Sequence, residues 1–141
     1  MRVVTRHLLT LLMLACWSVS SPSQSAGTDV RVSGTWDGNF SGLVEGTGTS
    51  QTDTFVMELK QHGSSVKGYI RFKGLDFSVP VSGTVAATTF TYTARAKISP
   101  KCEVTITGET VVNETTNRMK GSQTQTNCEG TAKGEVTAVR R

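Results

Sequence analysis

Charge, aromatics, proline, cysteine and histidine are all scarce in this 141-residue chain. Charged residues make up 18% and aromatics 6% of it, with 3 Pro, 3 Cys and 2 His. Soluble domains usually carry ~25% charge, and no collagen-like or coiled-coil bias appears. Thr, Ser and Gly stand where helices would use Leu, Lys, Glu and Ala, which excludes a helical bundle and a long disordered tail. Past the first 26 residues the one histidine is His62, which leaves no catalytic triad and no histidine-based metal set. What remains has the length of one domain, enough to bury a core.

The N-terminus reads as an address. Arg2 and Arg6 give a positive start, Leu8 to Ala15 form a short apolar run, and Ser18 to Ala26 supply small residues and a proline. That is the layout of a secretory signal, too short and wrongly flanked for a membrane span. The expected division is a signal over 1–26 and one domain over 27–141. Two processing routes fit: cleavage near Ser25 or Ala26, or lipidation of Cys16, because Met13-Leu14-Ala15-Cys16 resembles a bacterial lipoprotein box with Met13 where Leu is usual. Export to the periplasm or the exterior is expected, with membrane anchoring only through Cys16. Under both routes Cys102 and Cys128 remain as a pair, expected as a disulfide in an oxidising compartment.

Without Arg2 and Arg6 the 15 basic residues become 13, against 11 acidic, a net of +2. That balance does not point to nucleic acid. Lys60, Lys67, Arg71 and Lys73 gather on one hairpin, which reads as a solvated sheet face more readily than as an anion site.

Apolar and polar residues alternate with period two through eight segments. Thr54–Gln61 and Val66–Lys73 join through a Gly63-Ser64 type II′ turn, pairing Phe55 with Phe72, Met57 with Ile70, Leu59 with Gly68 and Gln61 with Val66. A turn at Gly74-Leu75 then sets Phe72 against Phe77, Ile70 against Val79 and Gly68 against Val81. Around Ala87-Thr88, Val85 meets Phe90, Gly83 meets Tyr92 and Val81 meets Ala94. A looser connection at 99–103 brings Val104 and Ile106 opposite Ile98 and Ala96. Val104–Thr110 and Arg118–Gln125 flank a polar loop over 111–117, which places Cys102 and Cys128 nearly opposite each other. A bridge there adds roughly 3 kcal/mol. Met119, Gly121, Gln123 and Gln125 face inward, matched by Gly130, Ala132, Gly134, Val136 and Ala138. The first strand, Arg31–Val44, puts Gly34, Trp36, Gly38, Phe40 and Gly42 on one face, and a polar loop over 45–53 follows it. One unbroken apolar face over eight sequential strands predicts an all-β fold, an up-and-down antiparallel barrel, with a two-sheet sandwich as the alternative.

Gly34-Thr35-Trp36 near the start of the first strand resembles the Gly-x-Trp signature of lipocalins and avidins, the calycin barrels. The resemblance implies that Trp36 closes one barrel end under a basic residue from the last strand. Arg140 fits that place, beside Trp36 on the face of Val136 and Ala138, with a cation–π contact worth ~0.5–2 kcal/mol. It also implies that the loops near 45–53, 74–75, 99–103 and 127–128 open at the other end. Avidin's ligand box needs several Trp, and beyond the signal only Trp36 is present, so biotin is not expected. A second resemblance is to bacterial metalloprotease inhibitors, small exported disulfide-containing barrels; it implies that Gly27–Val32 enters a protease.

No catalytic group, cofactor or metal site is expected, and the chain is not read as an enzyme. Asp37, Glu58, Asp76, Glu103, Glu109 and Glu135 fall outward or in turns. Two functions remain. In the first, the barrel holds a small apolar ligand at its loop-rich end, near Phe55, Phe72, Phe77, Val79 and Ile98. The inward Gly and Ala leave space there, while Gln123 and Gln125 need partners. In the second, the chain is a protein-interaction domain, an inhibitor or envelope adaptor, working through its N-terminal segment or loops.

Overall fold

In the computed structural model, residues 28–141 are described. The expected signal over 1–26, with Cys16 and the expected cleavage near Ser25 or Ala26, lies outside them. Eight strands follow in chain order: β1 (Gly34–Val44), β2 (Ser50–His62), β3 (Ser65–Phe72), β4 (Val79–Ala86), β5 (Thr89–Ser99), β6 (Cys102–Asn113), β7 (Arg118–Asn127) and β8 (Gly130–Arg140). Each pairs antiparallel with the next, and β8 returns to β1, so the barrel is closed. Closure removes the sheet edges that a sandwich would leave.

Period-two alternation sets the inside and the outside. Trp36, Phe40, Phe55, Met57, Ile70, Phe90, Tyr92 and Ile106 are buried in one core. Outward positions carry Asp37, Glu58, Lys67, Glu109, Lys120 and Glu135, all exposed. A barrel facing lipid shows the reverse, apolar outside and polar within.

The β2–β3 register has Phe55, Met57, Leu59 and Gln61 paired with Phe72, Ile70, Gly68 and Val66, as the alternation predicts. The pairs Ile70–Val79 and Gly68–Val81, Val85–Phe90, Gly83–Tyr92 and Val81–Ala94, and Met119–Ala138 also hold.

Five local expectations are corrected. The first strand starts at Gly34 and not Arg31, because residues 28–33 cross the barrel end. The second strand begins at Ser50, so the polar loop is shorter than 45–53. Phe72 and Phe77 are not a ladder pair: the turn closes from Leu75 N–H to the Phe72 carbonyl at 3.2 Å, with Gly74 third at φ +87°. A positive-φ glycine in that position is the type II pattern, which splays strands, and pairing resumes at Val79. Val104 and Ile106 face Ala96 and Ala94, because the bulge between Lys97 and Ser99 takes Ile98 out of the alternation. Finally, β6 runs on to Asn113, burying Val112, so the 111–117 loop shrinks to 114–117.

Inward glycines do not leave empty space. A Cβ on Gly38 would stand 2.1 Å from the Phe55 ring, and one on Gly108 would stand 2.2 Å from the Tyr92 ring. Small residues on one strand seat large rings from others, and the waist of the barrel is filled.

Candidate functional site

The two barrel ends are built differently. At one end the segment before β1 lies across the opening. Val30 and Val32 are buried, and Val32 N–H donates to Gln61 Oε1 at 2.7 Å. Gln61 Nε2 donates in turn to the Val30 and Gly63 carbonyls. Trp36 Nε1 donates to the Val32 carbonyl at 2.8 Å, so the one polar atom of a fully buried indole is satisfied. The Arg140 guanidinium carbon lies 4.6 Å from the centre of the Trp36 ring, and its amino groups reach the Ser33 and Arg31 carbonyls. Arg140 and Trp36 are also ladder partners between β8 and β1. This end is shut.

The opposite end opens into two chambers. One, about 300 Å³, has an apolar wall of Phe72, Phe77, Val79, Ile98, Val104 and Ile106. The other, about 280 Å³, lies beneath Val44, Thr49, Gly130 and Ala132. Gln51 and Gln125 line both. Gln51 Nε2 donates to Gln125 Oε1 at 2.9 Å and to Asp53 Oδ2 at 2.9 Å, spanning the mouth from β2 to β7. Below them Tyr92 Oη donates to Gln123 Oε1, and burial pushes the Tyr92 phenol well above its ordinary pKa. The Nε2 atoms of Gln123 and Gln125 are buried and have no partner among the described residues.

Of the residues expected at the ligand end, Phe72, Phe77, Val79 and Ile98 come together around the larger chamber. Phe55 does not line it. Its ring is buried over Gly38 and meets Phe72 edge-on at 5.9 Å, so it forms the layer beneath. Ile98 and Leu75 form an apolar rim, 43% and 45% exposed. Gln51, Asp53, Val104 and Ile106 were not expected there. The signal was available: Gln51 and Asp53 share the parity of Phe55 and Met57, but two polar residues at inward positions read as loop.

The disulfide joins Cys102 at the start of β6 to Cys128 in the β7–β8 turn, with Cα atoms 5.2 Å apart. It braces the open end, and a structural disulfide belongs to an oxidising compartment.

A larger hollow, about 690 Å³, lies on the outside of β2 and β3, edged by Lys60, His62, Lys67 and Tyr69. Lys60 and Lys67 are direct cross-strand partners, and both are exposed. Exposed side chains on the outer face edge this hollow, whereas the mouth is walled by residues from several strands and turns.

No family model, no curated protein and no solved structure matches this chain. The closed eight-stranded antiparallel barrel is consistent with a calycin-like architecture.

Proposed function

We propose that the protein is an exported binding module of lipocalin-like design that holds one small apolar molecule in its mouth. The carrying observation is the larger chamber: concave, walled by five apolar side chains and rimmed by exposed Leu75 and Ile98. Its volume lies at the lower edge of ordinary ligand pockets, which start near ~300 Å³. Binding is favoured over turnover because the mouth carboxylate, Asp53, is engaged by the Gln51 amide. Burial of Val30 and Val32 in the barrel end weighs against the N-terminal segment as the working part of a protein-interaction domain and leaves that reading its loops. Export to the periplasm or the exterior, free or anchored at Cys16, accords with the Cys102–Cys128 bridge.

The test is the intact mass of protein recovered gently from its producing cells, native and denatured. An excess mass lost on denaturation is expected. Val104→Trp, which fills the shared wall of both chambers, is expected to remove that excess and to weaken uptake of an apolar naphthalene probe at least tenfold. Equal probe binding by the folded variant and the parent overturns the mouth as the site.

A further inference from the structure

The mouth is lined by amides whose orientation is fixed by a single charge. The Asp53 carboxylate only accepts hydrogen bonds, so the Gln51 group facing it is the NH₂. The other N–H of that group reaches Gln125, so the Gln125 group facing Gln51 is the oxygen. Gln125 is left with its own NH₂ turned away from the bridge, buried and without a partner. The pattern repeats one pair of residues deeper on β7. The Tyr92 hydroxyl occupies Gln123 Oε1, and the Gln123 NH₂ is likewise buried and unpartnered. The open end therefore holds one amide donor, Gln125 Nε2, with nothing to receive it beside an apolar wall, and Gln123 Nε2 repeats the situation in the filled waist below. Buried donors without acceptors are unfavourable and rare in folded proteins.

Resting on the binding-module reading, we infer that the guest carries a neutral carbonyl, and that this oxygen opens the Gln51–Gln125 bridge and accepts from Gln125 Nε2. The Nε2 atom is closed to solvent on the amide whose oxygen Gln51 holds, so the route to it that we infer is displacement of Gln51. Both amides line both chambers, so displacement of Gln51 gives the guest access to either one. A carbonyl satisfies the donor that the closed mouth leaves unmet, whereas a hydrocarbon does not. Asp53 and Lys73 both line this chamber, so their opposite charges offset each other and a neutral guest needs no counter-charge there. An ammonium guest has no use for an NH₂ donor. The class is thus a small apolar ketone, ester or amide.

The experiment compares 2-acetylnaphthalene with 2-ethylnaphthalene, nearly equal in shape and differing in the carbonyl. Dissociation constants are read from naphthalene emission with the disulfide-intact protein and with Gln125→Met. The ratio of ketone to hydrocarbon affinity is expected to fall about tenfold in the variant, the worth of one hydrogen bond to a buried donor. Hydrocarbon affinity is expected to stay within about twofold. Gln51→Ser, which removes the bridge and keeps Gln125, is expected to strengthen ketone binding, and it serves as the second variant if Gln125→Met does not fold. An unchanged ratio in Gln125→Met, or ketone binding no stronger in Gln51→Ser, overturns the carbonyl inference while leaving the mouth as a binding site. Failure of the parent protein to bind either compound overturns both.

Discussion

Tyr92 shows how one side chain carries several constraints. Its ring lies against Gly108, it stacks on Phe90 with centroids 5.1 Å apart, and its hydroxyl serves Gln123. Burial holds its folded pKa above the ordinary value of 10.0. Below that value both folded and unfolded chains keep the proton, and stability is complete. As pH rises above it the unfolded chain ionises first and stability falls, by about 1.4 kcal/mol per pH unit for this group until the folded pKa is reached. Tyr92→Phe is expected to cost about 1–2 kcal/mol at pH 7, because Gln123 Oε1 loses its donor. It should also flatten the fall between pH 10 and the folded pKa. Urea unfolding at pH 7 and on the alkaline side checks both, and an equally steep alkaline limb in the variant would contradict the assignment. Alternation made Tyr92 and Gln123 legible as inward residues. Their meeting was not, because Tyr92 on β5 and Gln123 on β7 flank the intervening β6, and side-chain reach over a third strand has no period.

At the scale of elements, the turns divide into those that sequence chemistry specifies and those that tertiary contacts hold. Gly63, with φ +61°, opens the β2–β3 turn where the Gly-Ser pair predicts it. Ala87 adopts φ +53° with a Cβ, a conformation that favours glycine. Its N–H donates to Asp29 Oδ1 at 2.9 Å and its carbonyl accepts from Val30 N–H at 2.9 Å, so the N-terminal segment clamps the turn. In the β7–β8 turn Asn127 Oδ1 accepts from the Glu129 and Gly130 N–H groups, and the disulfide, closing a 26-residue separation, ties the turn to β6. Chain entropy alone assigns such a bridge about 3.5 kcal/mol. The double variant Cys102→Ser, Cys128→Ser should lose about that much in denaturant unfolding. A loss under about 1 kcal/mol would mean that the mouth end is set by its strands alone.

For the whole molecule, the decisive asymmetry is one shut end and one open end. Deleting residues up to Val32 removes two buried valines and the acceptor for Trp36 Nε1. The expected loss is about 4 kcal/mol, from ~1.5–3 kcal/mol for each buried valine less some relaxation. Trp36 emission should shift to the red as water reaches the ring, while the Cys102–Cys128 end keeps its bridge. Unchanged emission and stability would show that the segment is an ornament on a barrel already closed by Arg140.

Period-two alternation by itself determined eight strands, their order and the inward face, because each strand pairs with its sequence neighbour and each side chain points in or out by parity alone. The midpoint of the β6–β7 hairpin placed Cys102 near Cys128, while Trp36 came beside Arg140 only with the Gly-x-Trp resemblance, because the β1–β8 seam that pairs them exists only in a closed barrel. Only the tertiary structure decided what fills the barrel and what stays open. Phe55 belongs to the filled waist because its ring finds Gly38 on β1, while Gln51 and Asp53 join the mouth because β2 starts earlier than its polar residues suggest. The polarity of the mouth amides follows from one carboxylate meeting one amide at the open end. Such a meeting depends on how a closed barrel brings β2 and β7 face to face, and no local pattern along the chain records it.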